Sequence, residues 1–414
     1  MTDPDRRDFL VGAGGALAAF AFRPEIAAPR PGASRAEPLS IALVGAGRQG
    51  RAILGELQKL ERARVVAVCD VVASRLSSGL RRAQGARGYA GLRELLDQEG
   101  GDVEAVVVAT PTHLHRAAAL DALAAGKHVF CEAPLAATVE DARAIAAAAR
   151  AAAGVFQTGL QARSNPVYRL ARTFFLAGSV RDLACVRAQD FKKQSWRYPA
   201  ADPADERALN WRLDPVLSIG LAGEHGTQQF DVVHWFRGEY PVAVRGGGGV
   251  FGFKDGREVY DTASCELSFA DGVRLSWQGS LCNSYEGRYE LFQGTMAAIK
   301  LAWSHGWMFK EADSPTQGWE VYANRQSFHN DEGITLIADA TQLASQGKLK
   351  EGVGLSYSPL YYALSDFVAS AAGGAPVACG AEEGLRAAVV GILAERAVRS
   401  GEEVVIDPAL FEVG

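Results

Sequence analysis

The chain has 414 residues, 48% hydrophobic and 22% charged, with 43 Lys and Arg against 48 Asp and Glu for a formal net charge of -5. That length is too great for one ordinary core and suits two, and the slight acidity leaves no electrostatic case for nucleic acid or an anionic membrane surface. Six cysteines (Cys69, Cys131, Cys185, Cys265, Cys282, Cys379) are widely spaced, with no Cys-x-x-Cys and no metal-type cluster. They read as small buried thiols, and no metal is expected. Cys69 and Cys131 each close an apolar run and can lie on neighbouring strands.

Residues 1–38 read as an address followed by a linker. Asp5-Arg6-Arg7-Asp8-Phe9-Leu10 precedes an apolar, small-residue stretch from Val11 to Phe22. Twin arginines, Phe-Leu and a mildly hydrophobic core resemble a twin-arginine export signal, the route for proteins that cross already folded. A periplasmic or other extracytoplasmic location follows. The stretch is too short for a convincing membrane span. Ala19-Phe20-Ala21 offers a cleavage site, with Ala28 and Ala36 as alternatives, and 23–38 is a Pro/Ala/Arg-rich spacer.

From Leu39 the chain alternates strand and helix, the pattern of a doubly wound parallel sheet expected to run over 39–160. An apolar strand ends at Val44 and enters the turn Gly45-Ala46-Gly47-Arg48-Gln49-Gly50. Gly45 permits a tight turn, Gly47 lets backbone approach a pyrophosphate, and Gly50 allows close helix packing, with the helix N-terminus facing the phosphates. A second apolar run, Val65 to Cys69, ends in Asp70, placed to accept from the adenosine ribose. A carboxylate there repels a 2′-phosphate, so NAD is favoured over NADP. Further strands are expected near 104–109, 127–131 and Val155–Leu160, with helices over Arg51–Leu60, Leu92–Gln98, His115–Ala125 and Thr138–Ala153.

The rhythm then changes, and 161–414 is expected to form an α+β substrate-binding domain. Leu183–Phe191, Val242–Phe251, Thr262–Phe269, Val273–Leu281 and Tyr289–Leu301 suggest a large, mostly antiparallel sheet with an Asp271-Gly272 hairpin. Helices are expected over Pro166–Leu176, Ser218–Phe236, Gly333–Ala344, Pro359–Ala371 and Glu382–Ser400.

Four more motifs carry a resemblance. Ala109-Thr110-Pro111-Thr112-His113-Leu114-His115, the run Ala125 to Ala136 containing Glu132-Ala133-Pro134, Asn210-Trp211-Arg212-Leu213-Asp214, and Ala381-Glu382-Glu383-Gly384 join the glycine turn. Together they make the chain similar to the glucose–fructose oxidoreductase / inositol dehydrogenase / MocA (Gfo/Idh/MocA) superfamily across essentially all of Leu39 to Asp407. The resemblance implies that Thr110, Pro111 and His115 lie against the cofactor and that Glu132 and Ala133 sit at the nicotinamide, beside Arg48 and Gln49 of the turn. It also implies that Arg163, Trp211 and Arg212 line a sugar pocket, and that the protein is a homo-oligomer.

The departures bear on mechanism. The superfamily's Glu-Lys-Pro supplies a lysine at the reacting hydroxyl, where this chain has Ala133. Its Asp-x-Gly-x-His helix motif aligns with Glu224-His225-Gly226-Thr227-Gln228. Glu224 can serve as the carboxylate, whereas Gln228 can bind but cannot relay a proton. His225 projects about 100° from Glu224 on a regular helix and reaches the site only if the helix start is irregular. Lys193, with Lys192, ends a strand where the second domain faces the cofactor and is the candidate replacement ammonium. Tyr285, Tyr289 and Glu290 lie on the sheet expected to floor the pocket, with Tyr289 a candidate substrate contact.

Export adds a constraint, because free nicotinamide cofactor is not expected outside the cytoplasm. An exported protein must carry the cofactor bound and regenerate it in place. Three classes remain: an NAD-dependent oxidoreductase on a carbohydrate or cyclitol, ranked first; a redox-neutral NAD-dependent glycosidase or lyase; and a non-catalytic sugar-binding scaffold. A ketose or acid product marks the first, a released aglycone the second, and firm binding without turnover the third.

Overall fold

The computed structural model describes residues 37–413 apart from 318–319, 321–322, 329–330, 339–342, 344–345, 347 and 349–352. The segment read as an export signal, the three candidate cleavage sites and most of the expected spacer lie outside the described residues. Among the described residues no helix is long and apolar enough to cross a membrane.

The first sheet has six parallel strands in the order β3-β2-β1-β4-β5-β6. They are β1 Leu39–Val44, β2 Ala63–Cys69, β3 Arg87–Tyr89, β4 Ala105–Val108, β5 His128–Cys131 and β6 Phe156–Thr158. β1 and β4 lie at the centre and are buried at every position, which is why they read as unbroken apolar runs. The intervening helices are α1 Arg48–Leu57, α2 Ala73–Leu80, α3 Leu92–Glu99, α4 His115–Ala124 and α5 Val139–Ala151. α1 starts three residues earlier than its periodicity suggests, because the glycine turn passes directly into the helix. The short edge strand β3 and helix α2 are additions to the expected pattern, and β3 is held by pairing to Ala67–Cys69. Cys69 and Cys131 are on β2 and β5, separated by two strands, and both are free thiols.

The second sheet has ten strands in the order β14-β15-β13-β12-β11-β7-β10-β9-β8-β16. These are β7 Leu183–Phe191, β8 Ala243–Gly249, β9 Thr262–Ser268, β10 Arg274–Ser280, β11 Arg288–Gly294, β12 Ala297–Ala302, β13 His305–Lys310, β14 Arg325–Ser327, β15 Glu332–Thr335 and β16 Val404–Val405. The sheet is antiparallel except where β7 runs parallel to β10, among the described pairings. This is the α/β architecture expected, a doubly wound sheet followed by an α+β domain. The Asp271-Gly272 hairpin forms between β9 and β10, with Gly272 at φ 89.

Three expected elements differ. Tyr289–Leu301 is two strands, β11 and β12, joined by a tight connection at Thr295-Met296 across which the buried positions change from Glu290 and Phe292 to Ala297, Ile299 and Leu301, a switch of parity. Gly333–Thr335 belongs to strand β15, where Ile334 and Thr335 pair with Met308 and Trp307; tertiary pairing overrides the helical reading, whose remainder falls largely outside the described residues. The helix expected over Ser218–Phe236 is a π-helical turn, Ala222–Gly226, followed by α7, Thr227–Arg237, which ends at Gly238 with φ 77. The remaining helices, α6 Pro166–Leu176, α8 Pro359–Ala371 and α9 Ala381–Ser400, fall where expected.

Two helices tie the domains together. α8 returns to the first sheet, burying Leu360, Leu364 and Phe367 in the cluster that holds Ile41, Leu43 and Phe130. Gln157 on β6 donates to the Ala363 carbonyl at 2.8 Å. α9 packs against α5, β8 and the π-helical turn, and thirteen of its residues are buried. The C-terminal ends of β1, β2, β4 and β5 are thereby held facing β7 and the π-helical turn across a cleft.

Candidate active site

A cleft of about 1500 Å³ runs from Asp70 past the glycine turn to the ends of β7 and β11. Its first half is built from backbone. Gly45 has φ 97, and a Cβ there would stand 2.6 Å from the Ala109 carbonyl. A Cβ on Gly50 would lie 1.8 Å from the Gly45 oxygen, whereas one on Gly47 would meet nothing within 4 Å. Gly47 thus borders open space at the N-terminus of α1, where no side chain caps the free amides. Such amides, reinforced by the helix dipole, are a site for phosphate.

Asp70 lines the cleft, and its carboxylate accepts from the Ala46 amide at 2.7 Å and the Val72 amide at 2.8 Å. It therefore braces the glycine turn, and each oxygen retains a second lone pair. Ser74, Arg75 and Ser78 of α2, and Arg81 just after it, line the cleft beyond Asp70.

Thr110, Pro111, His115, Glu132 and Ala133 all line the middle of the cleft. His115 spans two loops, with Nδ1 2.9 Å from the Pro134 carbonyl and Nε2 3.0 Å from that of Thr110. Burial pushes its pKa down to about 4, so the neutral ring donates to one carbonyl and braces the loops. Gln49 donates to Glu132 Oε1 at 2.9 Å, and burial pushes this carboxyl up to about 7. Arg48 reaches across the cleft to Gln194 Oε1 at 3.2 Å.

The second half gathers polar side chains between aromatic walls. Glu224 is buried, with Oε1 accepting from the Thr112 hydroxyl at 3.0 Å and Oε2 3.4 Å from Arg212 Nε. Burial raises its pKa against the opposing pull of Arg212 and Thr112. The Arg212 guanidinium lies 4.5 Å from the Trp211 ring and 5.7 Å from that of Trp196. Because the helix begins with a π turn, His225 faces the same cleft as Glu224, with Nδ1 3.5 Å from Asp190 Oδ2 and its ring edge-on to Trp196. Burial pushes Asp190 up, but His225, Arg288 and Lys192 outweigh it and hold the carboxylate below its ordinary range. Gln228 also lines the cleft.

Three expected site residues are placed elsewhere. Arg163 is committed to a bidentate pair with Asp231 at 2.9 and 2.7 Å and does not line the cleft. Tyr289 is on the opposite face of β11 from Glu290, under the Lys300 ammonium at 4.6 Å; successive strand residues face opposite sides, and Glu290 is the one turned inward to Tyr168 and Gln229. Lys193 is exposed beyond β7, its backbone amide held by Ser284 Oγ at 2.8 Å, and Tyr285 is 76% exposed.

Asp190, Arg288, Trp196, Thr112 and His113 also line the cleft; Thr112 and His113 belong to the motif at 109–115, whereas no spacing marks Asp190, Arg288 or Trp196. Thr110 Oγ1, His113 Nδ1, Gln228 Oε1 and Arg288 Nη2 are buried without partners, and all four residues line the cleft. Buried polar atoms are nearly always bonded, so this set marks where ligand atoms belong. The open ledge at Gly47, the uncapped amides of α1, Asp70 and Thr110 fit a dinucleotide with its nicotinamide end toward Glu132 and Glu224.

Comparison with known proteins agrees. Residues 39–160 match the model of the oxidoreductase family's NAD-binding Rossmann fold, and 194–406 match that of its C-terminal alpha/beta domain. A levoglucosan dehydrogenase of Pseudarthrobacter phenanthrenivorans is 31% identical over 149 residues, 36% of each chain. A glycosyl hydrolase family 109 protein of Shewanella sp. (strain ANA-3) is 31% identical over 165 residues, 34% of this chain and 36% of that one. The alignments thus span about a third of the length of these curated relatives. The structure of a levoglucosan dehydrogenase in complex with NADH and L-sorbose shares the fold at a TM-score of 0.71 and 20% identity, covering 90% of this chain and 99% of that one. The chain belongs to the Gfo/Idh/MocA oxidoreductase family, and its first domain is that family's NAD-binding Rossmann fold.

Proposed function

We propose that the protein is an NAD-dependent oxidoreductase acting on a hydroxyl of a carbohydrate or cyclitol, with the cofactor retained in the cleft and re-oxidised there by passing the hydride to a second sugar. The observation that carries this reading is the buried carboxyl of Glu224, set between Thr112 and Arg212 where the dinucleotide cleft meets the aromatic walls. Bound nicotinamide supplies one chemistry here, the acceptance and return of a hydride. The rest is done by side chains. Trp196 and Trp211 provide apolar faces for a sugar ring, while Gln228, Arg288 and His113 offer unpaired polar atoms to its hydroxyls. Glu224 takes the hydroxyl proton, and burial, by raising its pKa, makes it the stronger base for that step. The family assignment and the names of the dehydrogenase relatives support the same reading.

Ala133 favours a second reading. Alanine can neither donate nor titrate at the position where the family's lysine assists the reacting hydroxyl. A site weakened for net oxidation is suited to redox-neutral cleavage of a glycoside, in which the hydride returns to the same substrate. The glycosyl hydrolase family 109 relatives support this alternative. A non-catalytic scaffold is the third possibility. The twin arginines support export with cofactor bound, and changing Arg6 and Arg7 to lysine would then hold the folded precursor in the cytoplasm. A fractionation assay showing normal export of that variant would contradict the assignment.

Glu224→Gln tests the main reading. Turnover should fall about 10²–10⁴-fold, the usual worth of general acid–base assistance, with NAD affinity intact. Full activity in that variant would overturn it. Product analysis separates an oxidised sugar from a released aglycone.

A further inference from the structure

We propose that Glu395, on the closing helix α9, is a positioning residue that holds the π-helical turn and so places Glu224 and His225 together in the cleft. The inference builds on the proposed function but rests on its own geometry. Glu395 is 5% exposed and is not part of the cleft lining. Its Oε2 accepts from the Ala222 amide at 3.1 Å, at the first residue of the π turn, and its Oε1 accepts from Arg399 Nε at 3.1 Å. A buried carboxylate is tolerated when its oxygens are bonded in this way.

The backbone has been fitted around this group. Gly220 has φ 65, and a Cβ there would lie 1.8 Å from Glu395 Oε1, so the approach to the turn runs directly against the carboxylate. One helical turn earlier on α9, a Cβ on Gly391 would come within 1.9 Å of Thr227 Oγ1. That hydroxyl donates to the Gly223 carbonyl at 2.6 Å, a back-bond of the kind that bends helices. Glu395 and Gly391 thus shape the two ends of the turn from one face of α9. A regular α-helix separates successive side chains by about 100°; the wider π turn advances less per residue and brings both Glu224 and His225 to the cleft. π turns are rare and concentrate at functional sites, so a dedicated support is in keeping.

The test uses the full-length protein carrying Glu395→Ala or Glu395→Gln. Glu395→Ala should lower kcat about 10–10²-fold, the order of loss that a 1 Å misplacement produces, while NAD affinity stays as in the wild type. Glu395→Gln should restore most of kcat, because the amide oxygen still accepts from Ala222. A crystal structure of Glu395→Ala should show the turn rewound to α-helix and His225 withdrawn from Asp190. If Glu395→Ala does not fold, Gly391→Ala tests the same support through Thr227 and should show the same kcat loss. An intact π turn with unchanged kcat in either folded variant would overturn the proposal. Absence of turnover in the wild type, with the turn still rewinding in Glu395→Ala, would overturn the functional reading and leave the positioning role standing.

Discussion

At Asp70 one carboxylate accepts from two backbone amides and still borders the space a ribose would occupy. Asp70→Ala should therefore weaken NAD much more than NADP, since it removes a ribose acceptor and also the repulsion of a 2′-phosphate. Calorimetry with both dinucleotides checks this, and an equal loss for the two would contradict it. Glu132 carries a pH signature. Its pKa rises from 4.5 to about 7 on folding, because burial disfavours the charged form. Between those values the folded chain binds more proton at this group than the unfolded one, so the contribution of Glu132 to stability is greatest below pH 4.5 and declines as pH climbs toward 7. Glu132→Gln keeps an acceptor for Gln49 and should make that decline shallower in the cofactor-free protein, measured as the urea midpoint against pH, the remainder coming from Glu395, whose carboxyl burial also pushes up to about 7. An unchanged slope would show that Glu132 is not its source. The roles of Gly45 and Gly50 were legible in the sequence because steric demands within one turn fix them. Those of Arg163 and Tyr289 were not, because a partner 68 residues away and the parity of a strand decide where their side chains go.

Elements separate two glycines that look alike in sequence. Gly50→Ala puts a Cβ into the Gly45 carbonyl and should cost both stability and cofactor binding. Gly47→Ala has open space at φ -64 and should fold normally, yet weaken NAD by blocking the approach of its pyrophosphate. Thermal unfolding with calorimetry resolves the pair; NAD affinity unchanged in Gly47→Ala would remove the phosphate from that ledge. The same scale explains the misread helix. Residues 218–236 carry a helical apolar pattern, and the π insertion is imposed from α9 by Glu395 and by Gly391, which packs on Thr227, contacts that no local periodicity records. Between β11 and β12 the connection is short and carries no Pro, Asn or Asp, so a hairpin read as one strand although the buried positions change parity across it.

The whole molecule is a cofactor sheet and a substrate sheet held together by α8 and α9, with the cleft between them lined by side chains from both. Arg48 to Gln194 and Thr112 to Glu224 cross that boundary, so chemistry at Glu224 depends on the domains meeting. The fold class was legible because strand–helix alternation and then strand runs are properties of long segments. Recruitment of Asp190 and Arg288 to the site was not, since it depends on which strand ends the assembled cleft brings together. The most direct measurement of the central claim is the redox state of the cofactor in protein loaded with one equivalent of NAD and mixed with carbohydrates and glycosides. Reduced nicotinamide should form on the protein, remain with it through gel filtration, and return to the oxidised form as turnover completes or a second sugar is reduced, none of this occurring in Glu224→Gln. Steady release of many equivalents of NADH from a free monosaccharide would contradict cofactor recycling, and an oxidised cofactor under every condition would contradict the assignment as an oxidoreductase.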